Sequence, residues 1–152
     1  MTKLEKLCAA YEAFGRAISD VPDTSANRLA QLSSGVRELV SDAFKRVPKP
    51  TPSQIAAGLE QSWRETPMLI QDIQPEWRAK VAEAWHTAAA GYYPEFLVKE
   101  EDRLRKIFTR GKIRTEAEFH LVRHEIDILE GAPGDATKLQ TLYRLVDSFE
   151  SR

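Results

Sequence analysis

His120 and His124 stand four residues apart, in a stretch that reads Glu116-Ala-Glu-Phe-His-Leu-Val-Arg-His-Glu-Ile-Asp. Imidazoles at that spacing share one side of a helix and can chelate zinc or another transition metal. At about 100° per residue, Glu116, His120, His124 and Asp127 fall within a sector of roughly 80°. His120, His124 and Asp127 are therefore the ligands on which a metal-dependent enzyme could be built. The order His-Leu-Val-Arg-His-Glu is not the H-E-x-x-H pattern of zinc proteases, and a two-histidine pair is permissive. The expectation is a solvated face opposite the stripe Phe119, Val122, Ile126 and Leu129, with no metal and no cofactor.

Two further carboxylate arrangements could do chemistry. Glu83 and His86 make one E-x-x-H pair, but di-iron bundles need a second such pair and two more glutamates. Positions 117 and 121, three before each histidine of the pair above, hold Ala117 and Leu121. Glu118 and Glu125 lie seven apart on one side of a helix, between the Phe119–Leu129 stripe and a second apolar flank at Leu121 and Ile128. Paired carboxylates there could act as general acid and base. The commoner fate is an arginine on an adjacent helix, and Glu118 also completes a capping box with Thr115. Phosphate-binding glycine loops, a nucleophile elbow and kinase signatures are missing, so no catalytic residue is expected.

Binding chemistry is better represented. Arg103, Arg105, Lys106, Arg110, Lys112 and Arg114 form a basic run able to engage phosphates. Cations also complement the C-terminal end of a helix dipole, and Glu100, Glu101 and Asp102 just before them offer partners one turn away. Tyr92, Tyr93 and Phe96 cluster around Gly91 and Pro94. Aromatic residues and arginine are enriched in interface hot spots, so Tyr92, Tyr93, Phe96 and Arg103 are the candidate protein-binding residues. The two tyrosines, at a chain break, are expected to be exposed, whereas Trp77 and Trp85 lie on an apolar stripe and should be buried. Cys8, the sole cysteine, reads as a small core residue.

Composition bounds these readings. The chain has 152 residues, 42% of them hydrophobic and 30% charged, which suits one globular domain with a real core. A formal net charge of −1 gives no global pull toward nucleic acid or anionic membrane. One cysteine excludes an internal disulfide and multi-thiolate zinc sites. No run approaches the roughly 20 apolar residues of a membrane span. Lys3, Glu5, Lys6, Glu12 and Arg16 interrupt the N-terminal apolar residues, unlike a secretory signal. A cytoplasmic location is expected.

The elements that must position these residues are helices. Leu4, Leu7, Tyr11, Phe14 and Ile18 recur at steps of three and four, as do Leu29, Leu32, Val36, Leu39, Ala43 and Val47. With Pro22 in a short break between them, residues 1–47 should form an antiparallel helical hairpin. Pro48, Pro50 and Pro52 then make an extended linker, 48–52. Thr51 followed by Pro52 fits the start of a third helix through Ile55, Leu59 and Trp63, ending before Pro67. Met68 to Gln74 is either one helical turn or a buried loop. Pro75 opens the next helix, Pro94 to Arg110 another closed by Gly111. Thr115 precedes a helix that stops at Gly131. Ala132 to Asp135 reads as a turn, and Leu139, Leu142, Val146 and Phe149 mark a last helix. No segment alternates as a strand does.

The sequence thus predicts an all-α single domain over 1–152: a six- or seven-helix bundle with an N-terminal hairpin, the proline-rich linker and a helical body over 53–152. The hairpin is too small to bury its own stripes, so it packs on the body or on a second copy of the chain. The functional expectation is a small non-catalytic protein-binding module, an adaptor, inhibitor or immunity-type protein, facing one protein partner. The alternatives are a nucleic-acid-associated regulator using Arg103–Arg114 and a metal-dependent enzyme using His120 and His124.

Overall fold

The computed structural model describes residues 1–131 and 134–152, and among them the structure is all-helical. The eight helices are α1 (Lys3–Ala17), α2 (Thr24–Ser34), α3 (Val36–Ala43), α4 (Pro52–Ile70), α5 (Pro75–Tyr92), α6 (Pro94–Arg110), α7 (Glu116–Gly131) and α8 (Ala136–Glu150). The turn expected at Ala132–Asp135 lies, for Ala132 and Pro133, outside the described residues.

Local chemistry accounts for most boundaries. Thr2 and Thr51 each cap a helix through a reciprocal box, with Glu5 and Gln54 as the returning side chains. Prolines open α4, α5 and α6, where the missing N–H has no intrahelical acceptor to lose. Gly111 closes α6 at φ 80°, a left-handed conformation that glycine adopts without a Cβ penalty. Thr115 Oγ1 accepts the Glu118 N–H, but the Glu118 carboxylate turns to the Arg114 N–H, one residue beyond the expected box partner.

Three expectations are corrected. The second helix of the hairpin divides at Gly35 into α2 and α3, so the helix count rises to eight. Within that pair the buried line is Ala26, Leu29, Ala30, Ser33, Val36, Val40 and Ala43, whereas Leu32, Leu39 and Val47 are exposed. The reason is the close approach of α1 and α2. A Cβ on Gly15 would lie 2.4 Å from Ser34 Oγ and 2.9 Å from the Ala30 carbonyl oxygen, so small side chains line the contact and leucines are turned out. Third, α4 runs through Pro67 instead of ending before it. The turn beyond it is held by burial of Pro67 and Ile70, with Ile73 buried just after.

The hairpin packs on the body, α1 lying against both α4 and α5. The hydrophobic interior falls into two clusters. One joins α1–α5 with the first turn of α6 as far as Phe96, and the other joins Leu104 and Ile107 of α6 with α7 and α8. The division therefore falls within α6 and not at the proline linker. At the centre of the first cluster Trp63 stacks on Trp85, 5.4 Å between centroids, with Tyr11 and Phe14 edge-on to Trp63 at 4.9 and 5.8 Å. Such aromatic pairs add about 0.5–1.5 kcal/mol each beyond their buried area.

Candidate functional site

Where the two clusters meet, α5, α6, α7 and the start of α8 enclose a cleft of about 400 Å³. Trp85, Leu97, Leu104, Phe108, Leu121 and Ile128 give it apolar walls, and His86, Glu100, Glu101, Arg105, Glu125 and Lys138 supply charged and polar groups. His124 lines the same cleft but is 3% exposed, its ring edge-on to Trp85 at 4.5 Å and 77°. Neither His124 nitrogen has a hydrogen-bond partner among the protein atoms, and neither does Trp85 Nε1. Burial, with a smaller contribution from His86, pushes the His124 imidazole down to about 3. It is therefore neutral at pH 7, with one ring nitrogen a donor and the other an acceptor by type, and neither of them satisfied. A buried polar group without a partner costs about 1–3 kcal/mol, so the ring is held there by its packing against Trp85 and at a cost to stability.

These positions correct the expected solvated face. His124 and Asp127 are buried because α7 lies between α5, α6 and α8 and so has interior on several sides. Nor do the proposed metal ligands converge. His120 lines a second groove, beside Met68 and Arg103. His124 lines the cleft, and Asp127 Oδ2 accepts from Gln71 Nε2 at 2.8 Å. No group of three or more metal-ligating side chains occurs among the described residues. Glu83 and His86 also separate, Glu83 toward the α1–α5 side and His86 to the cleft.

Glu118 meets an arginine of the preceding helix, as the commoner reading expects, whereas Glu125 meets a lysine. Glu118 bonds Arg110 and the Arg114 N–H. Burial alone would raise its carboxyl, but those donors outweigh it and hold it below the ordinary range. Glu125 pairs with Lys138 at 3.1 Å. Cys8 is a buried thiol, pushed up by that burial.

The aromatic cluster divides. Tyr92 is 41% exposed, but Tyr93 and Phe96 are buried at 4% and 0%. The break that was expected to expose both tyrosines instead turns Tyr93 inward, where its hydroxyl donates to Glu60 Oε1 at 2.6 Å. Glu60 also meets Lys3 at 3.1 Å and Lys99 at 3.5 Å. Burial would raise the Glu60 carboxyl, and these partners together hold it below its usual value. Phe96 lies against Trp85, its ring 5.5 Å away. Arg64, one turn on in α4 and 4.0 Å away, is the one partner that the sequence near Glu60 could have signalled, because the others come from α1, the α5–α6 break and α6.

Tyr92 stands at one end of a shallow groove of about 610 Å³ between α1 and α5. Its floor is Ala13, Ala17, Ala84, Ala88 and Gly91, with Lys80 and Glu83 at the far end. A Cβ on Gly91 would meet nothing within 4 Å.

Within the basic run most charges are already met. Arg103 pairs with Glu100 at 2.9 Å, Arg105 and Lys106 with Asp102 at 3.2 and 3.3 Å, and Arg110 with Glu118. Lys112 and Arg114 border a hollow with Ser148, Phe149 and Arg152.

Compared with protein-family models, with curated proteins and with solved structures, the chain has no significant match to any of them.

Proposed function

We propose that this chain is a non-catalytic protein-binding module that receives an amphipathic helix of a protein partner in the α1–α5 groove, with Tyr92 as its anchor. The observation that carries the reading is the exposed Tyr92 at one end of a groove lined by alanines, Thr87 and Gly91. Small side chains let a second helix approach closely, and its larger apolar residues fill the space they leave. Tyrosine supplies contact area at low entropic cost. Lys80 and Glu83 at the other end can choose register by charge. Tyr93 and Phe96 then act as the buried support of this surface and do not touch the partner.

A cytoplasmic encounter belongs to the same proposal. A single buried thiol requires no oxidising compartment, and no helix among the described residues is long and apolar enough to cross a membrane.

The test is a pull-down from native lysate with nuclease treatment, run in parallel on the wild type, Tyr92→Ala and Gly91→Arg. Gly91→Arg fills the groove without a clash inside the fold. One stoichiometric protein, retained by the wild type and lost with both variants, supports the reading. Capture that both variants retain overturns it, as does capture of nothing. Material recovered only without nuclease transfers the role to Lys112, Arg114 and the rest of the basic run. A wild-type dimer by light scattering, dissociated by Gly91→Arg, would make the occupant a second copy of this chain.

A further inference from the structure

Away from the groove, we infer that the hollow between the α6–α7 loop and the end of α8 is a binding site for the terminal phosphate of a phosphate monoester, held by Lys112, Arg114 and Arg152. The inference goes beyond the protein-binding reading and does not depend on it, because the two surfaces share no lining residue.

The loop presents its cations by a local rule. Ile113 is buried, and Lys112 and Arg114 on either side of it are turned out to solvent. The backbone beneath them is pinned. Arg110 Nε donates to the Lys112 carbonyl at 3.0 Å, and the Glu118 carboxylate accepts the Arg114 N–H at 2.8 Å. Across the hollow, Arg152 Nη1 donates to the Phe149 carbonyl at 2.6 Å, and its guanidinium lies 3.7 Å from the centre of the Phe149 ring. Two cations thus spring from a held loop and the third is anchored, which lowers the ordering cost of gathering them around one anion.

Charge balance selects the ligand. The hollow, about 330 Å³, is lined by those three cations with Ile113, Ser148 and Phe149, and no carboxylate is among them. The α5–α7 cleft and the grooves at His120 and Tyr92 each include a glutamate. The ion pairs at this end of the fold are Arg110 with Glu118 and Arg152 with Glu116, which leaves Lys112 and Arg114 without one among the described residues. The Arg152–Glu116 pair is long at 3.5 Å and exposed on both sides. Such a pair is worth little in water, so a doubly charged ligand can displace the carboxylate. Nor do the last carbonyls of α8 oppose an anion, since Asp147 O accepts the Ser151 N–H and Phe149 O accepts from Arg152. A phosphate monoester carries about −1.5 to −2 charge at pH 7 and three strong acceptor oxygens, which arginine can meet with two parallel N–H bonds.

A long polyanion fits less well. Arg103, Arg105, Lys106 and Arg110 are already paired, so free positive charge does not continue as a track along α6. Nucleic-acid affinity grows with the number of phosphates neutralised along the strand, and the free cations here gather around one.

The experiment titrates phenyl phosphate into the ¹⁵N-labelled whole chain near neutral pH and at about 0.15 M salt, where charges more than roughly 8 Å apart are screened. The expected result is saturable one-to-one shifts of the amides at 112–115 and 148–152, with Kd about 1 mM or tighter. That map needs only the wild type. Lys112→Glu and Arg114→Glu should each bind at least about tenfold more weakly, and Lys112→Arg should bind as the wild type does. Arg28→Glu, which reverses an exposed cation on α2, should stay within about twofold of the wild type. A peptide with one phosphoserine, beside its unphosphorylated twin, distinguishes the sources. A phosphopeptide that binds tighter than phenyl phosphate assigns a protein side chain, and one that binds no tighter assigns a small ester.

Absence of saturable shifts with both phosphate compounds overturns the inference, and so do shifts centred outside the hollow. Equal weakening in Arg28→Glu and Arg114→Glu would reduce the binding to net charge and also overturns it. So would affinity for a single-stranded oligonucleotide that rises with its length while the esters fail to saturate.

Discussion

Tyr93 donates its hydroxyl to Glu60 Oε1 at 2.6 Å from the break between α5 and α6, and that single bond joins the start of α6 to the middle of α4. Glu60 is 8% exposed, so its partners offset a real desolvation cost. Tyr93→Phe keeps the ring and removes the donor. It should destabilise the fold by about 1–3 kcal/mol, the cost of leaving a buried acceptor short of a partner. Urea unfolding measures this, and a double-mutant cycle with Glu60→Gln should return a coupling well above zero. Additive single effects would mean that the cations Lys3, Arg64 and Lys99 hold Glu60 in place without the tyrosine.

The glycines of α1 and α4 separate two roles of one residue type. Gly15 lies where α1 meets α2, and a Cβ there would come within 2.4 Å of Ser34 Oγ and 2.9 Å of backbone atoms of Ala30 and Ser34. Gly58 sits inside α4, where a Cβ would meet nothing within 4 Å. Gly15→Ala should therefore cost about 1–3 kcal/mol through overpacking. Gly58→Ala should gain about 0.5–1 kcal/mol, because glycine in a helix interior loses more backbone entropy than alanine does. Thermal melts check both signs, since about 1 kcal/mol moves the midpoint of a chain this size by roughly 2–4 °C.

How much of this was legible follows from how local each determinant is. The starts at Pro52, Pro75 and Pro94 and the stop at Gly111 are set within a few residues, and they stand where the sequence places them. The apolar stripes gave the helices but not which side of each stripe is inward. Leu32 and Leu39 fit the period, and only the tight contact at Gly15 decides that Ser33 and Ala30 go in and the leucines go out. Pro67 is a helix breaker by its own chemistry, overridden by burial of the turn that follows it. His124 reads as solvated because α7 looks two-sided in projection. Its burial depends on Trp85 arriving from α5, thirty-nine positions earlier in the sequence. Tyr93 and Glu60 are thirty-three apart, and nothing near either residue announces the other. The candidate cleft is of this second kind throughout, since three helices supply its walls and a fourth its rim.

The buried His124 gives the protein a specific response to acid. Its imidazole lies at about 3 in the fold against 6.5 for an unperturbed histidine, chiefly through desolvation. Above pH 6.5 the ring is neutral in both folded and unfolded chains and contributes nothing to pH dependence. As pH falls below 6.5 the unfolded chain takes up a proton that the folded chain refuses. Stability must then drop by about 1.4 kcal/mol per pH unit from this group alone, until pH approaches 3. The carboxyls of Glu60 and Glu118 are held below 4.5 in the fold, so their losses begin only as pH falls through the carboxylate range. Asp127, raised by burial, works in the opposite sense and adds stability as it protonates. The difference between wild type and His124→Phe removes these shared contributions. Between pH 6.5 and 4.5 the wild type should lose about 2–3 kcal/mol more than the variant in urea unfolding. Equal slopes would mean that the imidazole protonates in place, with the cleft admitting enough water to solvate its charge.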